Sequence, residues 1–161
     1  WRADAGPATV IGGGGGSRAV CYALQHEGAP EIRLVNRTHE KALAIAEEFG
    51  APIKVIDWEE RHDALEGAAT VVNTTSQGMV GETALDIKLD NLSADALVAD
   101  IIYTPLETPF LAAARERGNA TVNGLGMLIH QGPPAWKRWF GLEPKVTDEL
   151  RDIMEKSILN G

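Results

Sequence analysis

The sequence predicts an α/β fold: a doubly wound, six-stranded parallel sheet, expected strand order 3-2-1-4-5-6, with helices on both faces. Three observations predict it. Short apolar runs of three or four residues alternate with longer stretches of helical period. The first run ends in the five glycines Gly12 to Gly16 and passes straight into a helical pattern. The chain has 161 residues at 44% hydrophobic, enough for one ordinary core and too little for two large ones.

The elements follow in order. Ala8–Ile11 reads as a buried strand. From Ser17 a helix begins, with Val20, Ala23 and Leu24 on one face, and Gly28-Ala29-Pro30 stops it. Ile32, Leu34 and Val35 form the second strand. Glu40 to Phe49 forms the next helix, with Ala42, Leu43, Ile45, Ala46 and Phe49 inward and Gly50 past its end. Ile53, Val55 and Ile56 form the third strand, and 57–65 reads as a short acidic helical connection. Thr70–Asn73 is the fourth strand, and 76–95 has no clean period and reads as loops. Leu97–Asp100, a helix over 108–117, Ala120–Asn123 and a helix over 127–140 complete the alternation. Pro133 and Pro134 are expected to break that helix. Thr147 caps a last amphipathic helix to Ile158. Helices between strands require parallel pairing and right-handed crossovers, the architecture of a Rossmann-like domain.

Composition excludes several classes. Against 15 Lys and Arg stand 23 Asp and Glu, a formal charge of -8. That balance disfavours a nucleic-acid partner or an anionic membrane surface. No apolar run approaches a membrane span, and Trp1-Arg2-Ala3-Asp4 is not a secretory leader. One cysteine, Cys21, gives no internal disulfide and suits a reducing compartment, so a cytoplasmic location is expected. No spacing of His, Cys, Asp or Glu suggests a metal site.

The glycine turn carries the first chemical signal. Gly12-x-Gly14-x-x-Ser17 matches the dinucleotide fingerprint G-x-G-x-x-small. Gly12 allows the sharp turn, Gly14 clears space for a pyrophosphate, and a small Ser17 lets helix and strand approach. The helix N-terminus then favours the diphosphate, with Arg18 in its first turn. Gly13 and Gly16 are not demanded by this reasoning, and other small residues are expected to serve there.

The end of the second strand carries the second signal. An NAD site places Asp or Glu there for the ribose hydroxyls. Here stand Asn36-Arg37-Thr38, with Lys41 one turn on. Asn36 suits a ribose hydroxyl, Arg37 suits a 2′-phosphate and stacking on the adenine, Lys41 adds charge, and Thr38 suits that phosphate or a helix cap. The expected cofactor is NADP. Further along the sheet's carboxyl edge, Thr74 and Ser76 are candidates for ribose or pyrophosphate. Gly124 and Met127 are candidates for the nicotinamide, and Tyr103 and Gln131 for substrate. A methionine at this spacing is also ordinary core, Thr75 and Ser76 also suit a turn cap, and His130 also suits a packed or surface position.

Five motifs in order resemble the shikimate dehydrogenases, specifically their C-terminal NADP-binding half. They are Val10-Ile11-Gly12-x-Gly14-Gly15-x-Ser17-Arg18-Ala19, Asn36-Arg37-Thr38 with Lys41, and Asn73-x-Thr75-Ser76-x-Gly78-Met79. Asp100-x-x-Tyr103-x-Pro105-x-x-Thr108 and Asn123-Gly124-x-x-Met127-Leu128-x-x-Gln131 follow. The resemblance runs from about Thr9 to Gly141 and more loosely through the last helix. It implies reversible hydride transfer between NADP and the 3-dehydroshikimate/shikimate pair, a step towards chorismate and the aromatic amino acids. It implies cofactor contacts from Gly15, Thr75, Met79 and Ile101 as well, with substrate contacts from Tyr103 and Gln131. The family's catalytic Lys and Asp lie in an N-terminal domain that would precede Trp1, so no catalytic residue is assigned within 1–161. The expectation is one NADP-binding domain that holds cofactor without turnover. Its 142–161 helix packs on the missing domain, and Trp136 and Trp139 are expected to pack the terminal helices or to mark that face. A quinate/shikimate dehydrogenase domain and a stand-alone NADP-sensing module are the alternatives.

Overall fold

A computed structural model describes residues 1–160. It contains β1 (Ala8–Ile11), α1 (Gly15–His26), β2 (Ile32–Val35), α2 (His39–Phe49), β3 (Ile53–Ile56) and β4 (Thr70–Asn73). There follow β5 (Leu97–Asp100), α3 (Pro109–Glu116), β6 (Ala120–Val122), α4 (Leu125–Phe140) and α5 (Asp148–Asn160). The sheet has six strands in the order β3-β2-β1-β4-β5-β6, all neighbours parallel. The predicted fold class and strand order are therefore those observed.

Register sets the functional edge. Ile11 lies opposite Val35 on one side and Asn73 on the other, and Asn73 lies opposite Asp100. The chain thus leaves four adjacent strands at one level, so their following loops gather along one edge. Alternation along β1 feeds two cores. Ala8 and Val10 pack with Ile32 and Leu34 beneath Cys21, Leu24, Ala42 and Ile45. Ile11 packs with Val71 and Val98 against Leu85, Leu89, Leu92, Phe110 and Leu111. Burial of each such side chain contributes about 1.5–3 kcal/mol, which clamps the strand ends that carry the loops.

Several local expectations are corrected. Helix α1 starts at Gly15, and its buried stripe is Ser17, Cys21 and Leu24; Ala23 is exposed. Leu43 is 40% exposed, because Ala42 and Ile45 already take the inward face of α2. The acidic connection is two separate 3-10 turns, Trp58–Glu60 and Asp63–Leu65. β6 ends at Val122, one residue short of the expected Asn123.

Helix α4 runs unbroken through Pro133 and Pro134. Proline's fixed φ is helical, and Gly132 offers no Cβ to the Pro133 ring. Two rungs of the hydrogen-bond ladder are lost, but the turn is not. Trp136 and Trp139 do not pack inward: they are 49% and 71% exposed. The Thr147 cap is as expected, its hydroxyl accepting from the Leu150 N–H at 3.2 Å. Among the described residues, no helix is long and apolar enough to cross a membrane.

Candidate cofactor site

The site grows from one buried hydroxyl pair. The Ile11 carbonyl accepts from both the Thr74 N–H (2.8 Å) and the Thr74 hydroxyl (2.7 Å). Thr74 Oγ1 also lies 2.7 Å from Ser17 Oγ, which accepts from the Gly14 N–H at 3.3 Å. These bonds tie the end of β1, the start of α1 and the end of β4 together. Ser17 is therefore more than a small residue: its hydroxyl fastens the glycine turn. The Thr74 hydroxyl thus pins the turn from within the protein.

The glycines divide by what a side chain would meet. Gly12 has φ +130°, and a Cβ there would stand 2.4 Å from Thr74 Oγ1. At Gly13 it would stand 2.7 Å from Asn36 Cγ, and at Gly16 2.7 Å from Ile101 Cδ1. A side chain at Gly13 would thus press on Asn36, whereas at Gly16 it would meet only the far end of the Ile101 side chain. Asn36 itself is held by a 2.7 Å bond from Nδ2 to the Thr38 carbonyl. Gly124 has a packing role as well. Its missing Cβ would stand 2.0 Å from the Ile101 carbonyl oxygen, so it serves backbone packing between the β5 and β6 ends.

Gly14 and Gly15 differ from these. Nothing lies within 4 Å of a Cβ at either. Gly14 has an ordinary extended conformation, φ -105° and ψ -164°. Neither backbone strain nor a protein neighbour requires glycine there, and the free space opens on a cleft. We expect Gly12→Ala and Gly124→Ala each to lose about 1–3 kcal/mol of stability. Gly14→Ala should stay within about 0.5 kcal/mol of the parent. Urea unfolding of the three variants checks this; equal losses would contradict it.

The cleft has a volume of about 310 Å³. Its walls are the Gly12–Gly14 turn, Asn36, Arg37, Thr38 and Lys41 after β2, Trp58 after β3, and Thr74, Thr75 and Gln77 after β4. Arg37 and Lys41 are exposed and enter no ion pair among the described residues. The Thr38 side chain makes no cap bond to α2. No carboxylate among the described residues lines the cleft. A chain of net charge -8 thus builds one locally cationic pocket. Glycine at the α1 cap leaves that helix's first N–H groups free of a side-chain cap, the arrangement that binds phosphate.

A buried network holds the loops beside it. Asp100 Oδ1 accepts from Asn73 Nδ2 (3.1 Å) and the Ile102 N–H (3.0 Å), and Oδ2 accepts from the Thr108 hydroxyl (2.8 Å). Asn73 Oδ1 in turn accepts from the Thr75 N–H and hydroxyl, and Thr75 Oγ1 accepts from the Gln77 N–H. Thr75 is thus a turn-holding residue as well as a wall of the cleft. Burial pushes the Asp100 carboxyl above the usual carboxylate range, against the pull of its three donors. Burial likewise pushes the Cys21 thiol up to about 12, so it is inert packing.

Of the residues predicted from sequence, Gly12, Gly14, Asn36, Arg37, Thr38, Lys41, Thr74 and Thr75 meet at this cleft. Gly15 sits at the start of α1, and Ser17 lies buried beneath the turn. The Arg18 guanidinium pairs with Glu48 on α2 at the surface. Ser76 and Met79 lie on the loop after β4, Met79 43% exposed, and Ile101 packs behind Gly16. Tyr103, Met127 and Gln131 are exposed beyond β5 and β6, outside the cleft's walls. Gly13, Trp58 and Gln77 were not predicted. Asp57-Trp58 follows β3 directly at the ligand edge, and that position was the available signal.

Fold and cleft together define a doubly wound domain of the dinucleotide-binding class. The family model "Shikimate / quinate 5-dehydrogenase" matches residues 3–106. The chain belongs to this family of oxidoreductases. It is 51% identical over 151 residues to a shikimate dehydrogenase (NADP(+)) of Paramagnetospirillum magneticum, covering 94% of this chain and 55% of that one. Quinate dehydrogenase from Corynebacterium glutamicum, solved with NAD, superposes with TM-score 0.84 at 29% identity, covering 98% and 56%. Shikimate 5-dehydrogenase from Thermus thermophilus, solved with NADP(H) and shikimate, gives 0.76 at 35%, covering 96% and 55%. The chain spans about half the length of the relatives it matches.

Proposed function

We propose that the chain is the C-terminal, NADP-binding half of an NADP-dependent shikimate dehydrogenase that interconverts 3-dehydroshikimate and shikimate. One observation carries the choice of cofactor. Where an NAD site needs a carboxylate, this cleft presents Arg37 and Lys41, both without ion pairs among the described residues. The residues fit the group: Gly14 leaves open space beside the helix N-terminus for the diphosphate, and Arg37, Thr38 and Lys41 receive the 2′-phosphate. Bound NADPH supplies a hydride. Met127 and Gly124 border its nicotinamide end, and Tyr103 and Gln131 face the substrate.

Reduction of a carbonyl also needs a proton at the developing alkoxide. Lys41 stands at the phosphate end of the cleft, and Lys54 is paired with Glu31. Resemblance to the family implies a proton donor in its N-terminal domain. Residues 1–161 form one domain, and 142–161 pack on that other domain. Exposed Trp136, Trp139, Phe140 and Leu142 support this docking face. The setting is the cytoplasm, consistent with a lone, unreactive Cys21.

Isothermal titration calorimetry of the chain should show NADP binding more tightly than NAD, and a preference for NAD would overturn the cofactor assignment. The chain alone should form no NADPH from shikimate and NADP in an absorbance assay. Turnover above background would contradict the division of labour. The similarity to an NAD-bound quinate dehydrogenase favours a second reading, a quinate/shikimate enzyme. Arg37 argues against its NAD preference.

A further inference from the structure

We infer that Trp58 forms the wall against which the adenine base packs, a deepening that rests on the NADP reading above. Trp58 lines the same cleft as Arg37, Thr38 and Lys41, and among the described residues it is the one aromatic side chain to do so. The adenine of NADP is attached to the ribose that carries the 2′-phosphate. A cleft that takes that phosphate on Arg37 and Lys41 must place the base within one sugar of it. Thr75 and Gln77, the neighbouring walls, are polar. The indole is the flat apolar surface within that reach.

The indole is also fixed before any ligand arrives. Trp58 packs partly buried against the core under β1 and β4. The Arg61 guanidinium lies over the ring, 4.7 Å from its centroid. Arg61 is held in turn: Nη1 donates to the Trp58 carbonyl at 2.9 Å, Nε to the Asp86 carbonyl at 2.9 Å, and Nη2 to Asp86 Oδ2 at 2.7 Å. That guanidinium is occupied by the protein and serves as a brace for the ring. A surface already ordered loses little freedom on binding, so its contact is kept in the affinity. Base–aromatic contacts of this kind are sensitive to loss of the ring and tolerant of its replacement by another ring.

The test compares the parent chain with Trp58→Leu, which keeps apolar packing, and Trp58→Phe, which keeps a ring. NADP and NAD binding are measured by calorimetry and melting temperature is recorded for each. Trp58→Leu should weaken NADP on the order of tenfold. NAD, which carries the same base, should weaken by the same factor, leaving the NADP-to-NAD ratio unchanged. Trp58→Phe should stay within about threefold of the parent. Parent-like NADP affinity in Trp58→Leu would overturn the assignment. So would a loss confined to NADP, since that would place Trp58 in service of the 2′-phosphate. A parent chain that binds no NADP would overturn the underlying cofactor reading instead.

Discussion

Arg37→Ala is expected to weaken NADP binding by about tenfold to a hundredfold, while NAD binding stays within about twofold. The asymmetry follows from charge. The 2′-phosphate is the sole group that separates the two cofactors, and a charge-assisted hydrogen bond contributes about 1.5–3 kcal/mol. Arg37 has no ion pair to break among the described residues. Its removal therefore uncovers no stranded carboxylate and should not disturb folding. Lys41 shares the cleft, so part of the preference for NADP should survive. Raising salt should narrow the gap between parent and variant, because both cations are exposed and screened. Calorimetry with both cofactors at two ionic strengths checks this. Equal loss for NAD and NADP would assign Arg37 another role.

The fold was legible because every strand is a short apolar run closed by a turn signal, and the glycine fingerprint after the first strand points to the dinucleotide-binding order 3-2-1-4-5-6. The phosphate half of the site was legible for a related reason. Its residues are continuous in sequence, Gly12 to Ser17 and Asn36 to Lys41, so spacing alone places them. What spacing does not contain is the packing between segments. Gly13 and Gly16 look interchangeable with other small residues until Asn36 and Ile101 are brought beside them, and the packing of Gly124 on the Ile101 carbonyl has no sequence signal. Arg18 reads as a phosphate ligand from its place in the first turn, and only the approach of α2 shows Glu48 within its reach. Trp58 and Gln77 belong to loops with no period and no motif. They join the cleft because β3 and β4 end level with β2 and β1. Gly132 spares the Pro133 ring a clash with a preceding Cβ, a local steric fact that a count of helix breakers ignores, and nothing among the described residues gives the same relief to Pro134.

Asp100→Ala is expected to cost about 2–4 kcal/mol of stability and to loosen the loops on either side of the cleft. Asp100 is 2% exposed, and all three of its partners donate to it. Removing the carboxylate leaves donors facing an apolar gap. Asn73 retains a bond to the Gln77 carbonyl at 3.2 Å, but its grip on β5 is gone, and the Ile102 N–H loses its acceptor. The pH dependence distinguishes this charged anchor from mere packing. Burial raises the Asp100 pKa in the folded state. The folded chain therefore binds more protons than the unfolded chain between the ordinary aspartate value and the raised one. The contribution of Asp100 is then greatest below the ordinary value and falls as pH rises through the folded one. Asp100→Asn keeps the shape and cannot titrate, so its stability should lack that decline. Urea unfolding of the parent and Asp100→Asn across this acidic range reads the difference directly. A parent that instead gains stability relative to Asp100→Asn as pH rises would mean that the three donors outweigh burial and hold the folded pKa below the ordinary value.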